Sequence, residues 1–86
     1  MMIQVRIFGP LRESLGMGSL TVDASQAGTI NELLPVVGKT TSAATLSELR
    51  KASIFVNGTN VTSLRLLRTP VKSGDEVVLL SPVGGG

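Results

Sequence analysis

A period-two segment near the start of this chain and an apolar strand-like run near its end flank one helical pattern. Ile3, Val5 and Ile7 alternate with Gln4 and Arg6 near the start, while Glu76-Val77-Val78-Leu79-Leu80 forms an apolar run near the end. The alternation marks the first segment as a strand with one buried face, and the apolar run reads as a second strand. Between them, Ile30, Leu33, Leu34 and Val37 fall at i, i+3, i+4 and i+7, one apolar face of a helix. Strands flanking a single main helix define an α+β domain, with a mixed sheet of four to five strands crossed on one face by that helix. A right-handed crossover lets the first and last strands pair in parallel at the sheet centre.

At 86 residues there is room for one domain, and 42% hydrophobic against 16% charged residues is a globular balance. Phe8 and Phe55 are the only aromatics, so the core must be built from Ile, Val and Leu. The chain has no cysteine and no histidine. It therefore has no disulfide, no thiolate nucleophile and no imidazole base or ligand, and its six carboxylates show no paired spacing. Self-contained catalysis and a bound metal are not expected. The net charge is +2, with Arg65, Arg68 and Lys72 gathered in one segment that could face an acidic partner or simply solvent. No apolar stretch approaches the ~20 residues of a membrane span, and the opening residues lack a signal-peptide core, so a cytoplasmic location is expected.

Residue by residue, Gly9-Pro10 ends the first strand. Leu11 to Leu15 reads as a short connection, and Leu20 and Val22 alternate in a second strand that forms a long-looped hairpin with the first. Thr29 caps the helix, with Glu32 three residues on at capping-box spacing. Pro35 predicts a helix that is short or bent, and Gly38 predicts its end. Residues 39–44 are weakly patterned and read as mobile. Thr45 is placed to cap a second short helix, Leu46–Lys51. Ser53-Ile54-Phe55-Val56 is the third strand, and Asn57-Gly58 a tight turn. Val61 is expected in a short strand, and Leu64, Leu66 and Leu67 in an irregular or 3₁₀ stretch. This order is that of a ubiquitin-like β-grasp, with a body at residues 1–80 and a tail at residues 81–86. The tail, Ser81-Pro82-Val83-Gly84-Gly85-Gly86, follows a central strand. Glycine has no side chain to obstruct a narrow channel and reaches backbone conformations closed to other residues.

Five segments in order carry a family likeness: the first strand running into Phe8-Gly9-Pro10-Leu11-Arg12-Glu13; Thr29-Ile30-Asn31-Glu32-Leu33-Leu34; Ile54-Phe55-Val56-Asn57-Gly58; Pro70-Val71-Lys72-Ser73-Gly74-Asp75-Glu76-Val77; and Leu80-Ser81-Pro82-Val83 followed by glycines. The set resembles the MoaD/ThiS-like sulfur carriers among ubiquitin-like proteins, and is more similar to their molybdopterin synthase small-subunit branch than to the thiamin carrier. Pro35 and the third glycine depart from that pattern. The resemblance implies that an ATP-dependent, ubiquitin-activating-like adenylyltransferase activates the Gly86 carboxylate. A sulfur donor then converts it to a thiocarboxylate. A second partner receives the sulfur: the molybdopterin synthase large subunit or another acceptor enzyme. The carrier itself binds no cofactor, and ATP is consumed by the activating partner.

Docking is expected on the sheet face opposite the helix. Phe8 falls off the core parity of its strand, and Phe8, Phe55 and Leu80 are candidates for an exposed apolar patch, with core and surface both open for Phe55. Arg12 matches a family arginine and is a candidate partner contact, with a solvated surface position as the alternative. Pro82 stiffens the exit of the tail, and Val83 accompanies it in the partner-binding set. Two other functions share parts of the pattern. A protein modifier would pass the same adenylate to a lysine amine. An S4- or TGS-like RNA-binding module would use the segment with Arg65, Arg68 and Lys72, but the low charge and the lack of an aromatic there argue against nucleic acid.

Overall fold

The computed structural model describes residues 2–40 and 46–80. β1 (Met2–Phe8) leads through α1 (Pro10–Leu15) into β2 (Ser19–Asp23). After a 3₁₀ turn come α2 (Ile30–Thr40) and α3 (Leu46–Lys51), then β3 (Ser53–Val56), β4 (Thr59–Asn60) and β5 (Glu76–Leu80). The sheet order is β2-β1-β5-β3-β4. β5 lies parallel to β1 and antiparallel to β3, so the first and last strands pair at the centre as the pattern requires.

Parity sets the layers. Ile3, Val5, Ile7, Ile54, Val77 and Leu79 point to one face and are buried against Ile30, Leu33, Leu34 and Val37 of α2. The core is aliphatic throughout, as the scarcity of aromatics demands. Each fully buried Leu or Ile contributes about 1.5–3 kcal/mol of transfer free energy.

The α2 entrance follows the capping pattern. Thr29 Oγ1 accepts from the Glu32 N–H at 3.3 Å, and Glu32 Oε1 accepts from the Gly28 N–H at 2.8 Å. The segment after residue 68 clasps this entrance, with the Ile30 N–H donating to the Thr69 carbonyl and the Val71 N–H to the Gly28 carbonyl, both at 3.0 Å. The β3–β4 turn uses Asn57 and Gly58 at φ 50° and 86°, the doubly left-handed pair of a type I′ hairpin.

Three local expectations are corrected and a fourth is narrowed. Residues 11–15 form most of a helix rather than a connection, with Pro10 in its first turn and Gly16 (φ 72°) closing it by donating to the Arg12 carbonyl at 3.0 Å. α2 runs eleven residues through Pro35, which sets aside the short alternative of the two readings for that proline. Gly38 does not end it. That residue lies where α2 meets α3, and a Cβ there would stand 3.6 Å from Leu49 Cδ1. The burial of Leu33, Leu34, Val37 and Leu49 outweighs the local breakers. Lys39 and Thr40 are accordingly helical, while the rest of the stretch read as mobile, and the Thr45 cap, lie outside the described residues. Val61 belongs to a 3₁₀ turn, Val61–Ser63, because Asn60 Oδ1 accepts from the Thr62 N–H at 2.9 Å and turns the chain out of β4.

Candidate functional site

The sheet face away from α2 carries the other parity of each strand: Gln4, Arg6 and Phe8 on β1, Glu76, Val78 and Leu80 on β5, and Phe55 on β3. Register makes its apolar members contiguous. Phe8 stands beside Leu80, and Val78 stands beside Phe55. Phe8 is 43% exposed and Leu80 36%. Phe55 is half-buried on this outer face, outside the aliphatic core, which resolves its two readings towards the surface. The structure thus brings Phe8, Phe55 and Leu80 onto one face and adds Val78 between them. Val78 could have been found from the alternation of β5 once Val77 and Leu79 were assigned to the core.

Polar groups border this stripe. Arg6 Nε and Glu76 Oε2 form an exposed ion pair at 2.9 Å, worth little to stability in water. At the Phe8 end, Gln4, Arg6, Phe8, Arg12, Gly18 and Ser19 line a shallow depression. The Arg12 side chain lies over Gly18 so closely that a Cβ on Gly18 would stand 2.9 Å from Arg12 Nε. In the sequence Gly18 reads, with Gly16, only as the flank of a turn; its close approach to Arg12 is spatial and no local pattern marks it.

The end of β5 is held on both sides, since Leu80 is in register with Phe8 of β1 and with Ser53 of β3. Its start is fixed by side chains. Asp75, 8% exposed, accepts from Asn57 Nδ2 at 3.0 Å through Oδ1 and from the Lys72 N–H at 2.9 Å through Oδ2. Asn57 Oδ1 in turn accepts from the Glu76 N–H at 2.9 Å. Pro82, Val83, Gly84, Gly85 and Gly86 lie outside the described residues. Among the described residues no cluster of three or more metal-ligating side chains occurs.

A five-stranded mixed sheet with β1 and β5 parallel at its centre and a helix crossing one face defines a ubiquitin-like β-grasp protein. The family model described as the ThiS family matches residues 5–86. A protein of Archaeoglobus fulgidus assigned as a sulfur carrier is 37% identical over 93 aligned positions, covering 100% of each chain. The solution structure of small archaeal modifier protein 1 from Methanosarcina acetivorans superposes with a TM-score of 0.82 at 26% identity, covering 99% of this chain and 96% of that one. A chain of the complex of subunits 1 and 2 of molybdopterin-converting factor from Helicobacter pylori matches with a TM-score of 0.64 at 28% identity, covering 100% of both. The chain belongs to the ThiS family, within the MoaD/ThiS-like sulfur carriers.

Proposed function

We propose that this chain is a carried substrate whose covalent chemistry takes place on the carboxylate of Gly86. An ATP-dependent adenylyltransferase forms an acyl-adenylate there and releases pyrophosphate. A sulfur donor displaces AMP and leaves a thiocarboxylate, a softer nucleophile than the carboxylate it replaces. Gly84, Gly85 and Gly86 in extended form reach roughly 10 Å at ~3.3–3.6 Å per residue, enough to enter a buried site while the body stays outside. The outer-face stripe of Phe8, Phe55, Val78 and Leu80 would seat the body on its partners, with Arg12 at the margin and Pro82 and Val83 at the tail exit. The observation that carries this reading is the family match, which runs through the glycine tail to residue 86.

For the acceptor we propose an enzyme that binds a molybdopterin precursor. The support is the likeness to a chain of the two-subunit molybdopterin-converting factor complex. A second reading, transfer of the activated carboxyl to lysine amines as a protein modifier, has its own support in the likeness to small archaeal modifier protein 1.

Intact-mass spectrometry of the protein from its native cells tests both readings. Carriage of sulfur appears as the mass gain of one oxygen-for-sulfur exchange on the C-terminal peptide. Conjugation appears as that peptide linked to lysine-containing fragments. A chain lacking Gly86 should keep its circular dichroism spectrum and support no ATP–pyrophosphate exchange with the adenylyltransferase; undiminished exchange would refute the role of the terminus.

A further inference from the structure

A second surface stands apart from the sheet face. The segment from Val61 to Thr69 leaves β4 as a 3₁₀ turn, bends, and forms a second 3₁₀ turn at Leu66–Arg68. Leu64 is 44% exposed and Leu66 57%, the latter the most exposed of the large apolar side chains described. Leu66 also holds φ at 54°, a left-handed conformation that a branched, bulky residue rarely adopts. Glycine or asparagine would relieve that strain, as Asn57 does in the β3–β4 turn.

The surroundings enforce the conformation. Thr69, 3% exposed, donates from Oγ1 to the Leu66 carbonyl at 2.6 Å, and the same oxygen accepts from the Arg65 N–H at 3.1 Å. The Thr69 N–H also reaches the Leu66 carbonyl at 3.1 Å, and the Arg68 N–H reaches the Arg65 carbonyl at 3.0 Å. Below, Val61 is buried, and Thr69 joins the entrance of α2. A strained residue held by this many bonds, with its apolar side chain in water, points to use of that side chain.

Charge says what it meets. Arg65, Arg68 and Lys72 are exposed, and among the described residues none of the three has an ion-pair partner. Leu64, Arg65 and Lys72 line one depression, whose only carboxylate, Asp75, is nearly buried and bonded through both oxygens, and Leu66, Leu67 and Arg50 line a second, so each pairs apolar with cationic groups. No aromatic ring is present on it to stack against a base.

We propose that the 61–69 loop is a docking site for an acidic, leucine-bearing protein segment. Its leucines pack against Leu64 and Leu66, and its carboxylates face Arg65, Arg68 and Lys72. This site is separate from the sheet face and does not depend on the sulfur-transfer reading.

The test is an NMR titration of the isotope-labelled full chain with a synthetic peptide of alternating leucines and glutamates. The controls are its lysine-for-glutamate counterpart and a single-stranded RNA oligonucleotide. Saturable shifts confined to the amides of residues 63–69 and 72, abolished by the lysine counterpart and weakened by salt, are expected. Two variants separate contact from folding. Leu66→Gly suits φ 54° and should melt at the same or a higher temperature, yet bind at least several-fold more weakly. Arg65→Glu with Arg68→Glu should weaken binding by about 10-fold, the scale of two exposed ion pairs. The proposal fails if the acidic peptide gives no saturable shift, if the lysine counterpart or the RNA shifts the loop as strongly, or if Leu66→Gly binds unchanged.

Discussion

Asp75→Asn changes one atom type and almost no volume, yet it should be among the more damaging polar substitutions in this protein. The two carboxylate oxygens of Asp75 face two donors, Asn57 Nδ2 at 3.0 Å and the Lys72 N–H at 2.9 Å. An asparagine has one acceptor oxygen. Whichever way its amide turns, an NH₂ group meets an N–H donor. One bond to a charged acceptor is lost, worth about 1.5–3 kcal/mol, and the surviving bond becomes neutral and weaker. The total is about 2–4 kcal/mol, a substantial part of the ~5–15 kcal/mol by which a small domain is stable. At ~4–8 °C per kcal/mol for a domain of this size, melting should fall by roughly 8–32 °C. The chain has no Trp or Tyr, so far-ultraviolet circular dichroism is the suitable probe. Asn57→Ala removes the donor to Oδ1 and also the acceptor of the Glu76 N–H. A double-mutant cycle between the two positions should therefore show a coupling of about 1 kcal/mol or more. A melting temperature within ~4 °C of the parent, or strictly additive effects, would refute the claim that this pair fixes the start of β5.

Other substitutions test separate parts of the molecule. Gly38→Ala should stabilise by about 0.5–1 kcal/mol in urea denaturation, because it removes a helix-interior glycine and its Cβ meets Leu49 Cδ1 at an ordinary 3.6 Å. Gly18→Ala should leave melting unchanged while displacing the Arg12 guanidinium, since the Cβ would stand 2.9 Å from a flexible side-chain atom; calorimetry with the adenylyltransferase then reads Arg12 as a contact if affinity falls. The Ser25 backbone and side-chain donors hold the Asp23 carboxyl below its ordinary value of 3.8. The stabilisation from this link is present above the unfolded-state pKa and is lost as pH falls through the lower folded value, so a carboxyl-carbon NMR titration should place the Asp23 midpoint below 3.8.

The sequence exposes this fold wherever a period or a turn is local. Period two places β1, assigns Ile3, Val5 and Ile7 to the core and leaves Phe8 outside, and the apolar run at 76–80 places β5, all as observed. Asn57-Gly58 announces its hairpin because only residues tolerant of positive φ suit that turn. Elements that depend on distant packing are harder to read. α1 is six residues long, too short to show a helical period, although Pro10 and Gly16 bracket it with recognisable end signals. Gly38 resembles a helix stop, and only the contact with Leu49, eleven residues on, shows it to be a close approach between helices. Leu66 at φ 54° has no local signal, since the bonds that hold it come from Thr69 and Arg65. For the site, parity isolates Phe8, but in the apolar run of β5 it does not decide whether Val77 and Leu79 or Val78 and Leu80 face outward, and the pairing of Phe55 with Val78 requires the register of β3 against β5.

That register bears on why a carrier would need a folded body. Fixing a free residue's backbone costs about 1–2 kcal/mol, so under the proposed function threading the six residues 81–86 into a partner's channel would cost up to roughly 6–12 kcal/mol, somewhat less because a proline at 82 fixes its own φ. Glycine contributes no side-chain contact to offset this. On that reading the offset would come from surface that docks outside the channel. Phe8, Phe55, Val78 and Leu80 form a contiguous apolar stripe at the end of the sheet from which the tail departs. Completing the burial of partly exposed side chains at about 1.5–3 kcal/mol for a fully buried one supplies several kcal/mol of that offset. The paired strands on either side hold Leu80, the last member of the stripe, in register with Phe8 and Ser53, so that on the proposed function docking the stripe would also bring the tail to the channel mouth. On this reasoning a synthetic peptide of residues 77–86 should be adenylated far more slowly than the intact chain at equal concentration. Pyrophosphate exchange at the same rate with peptide and protein would show that the fold contributes nothing to presentation.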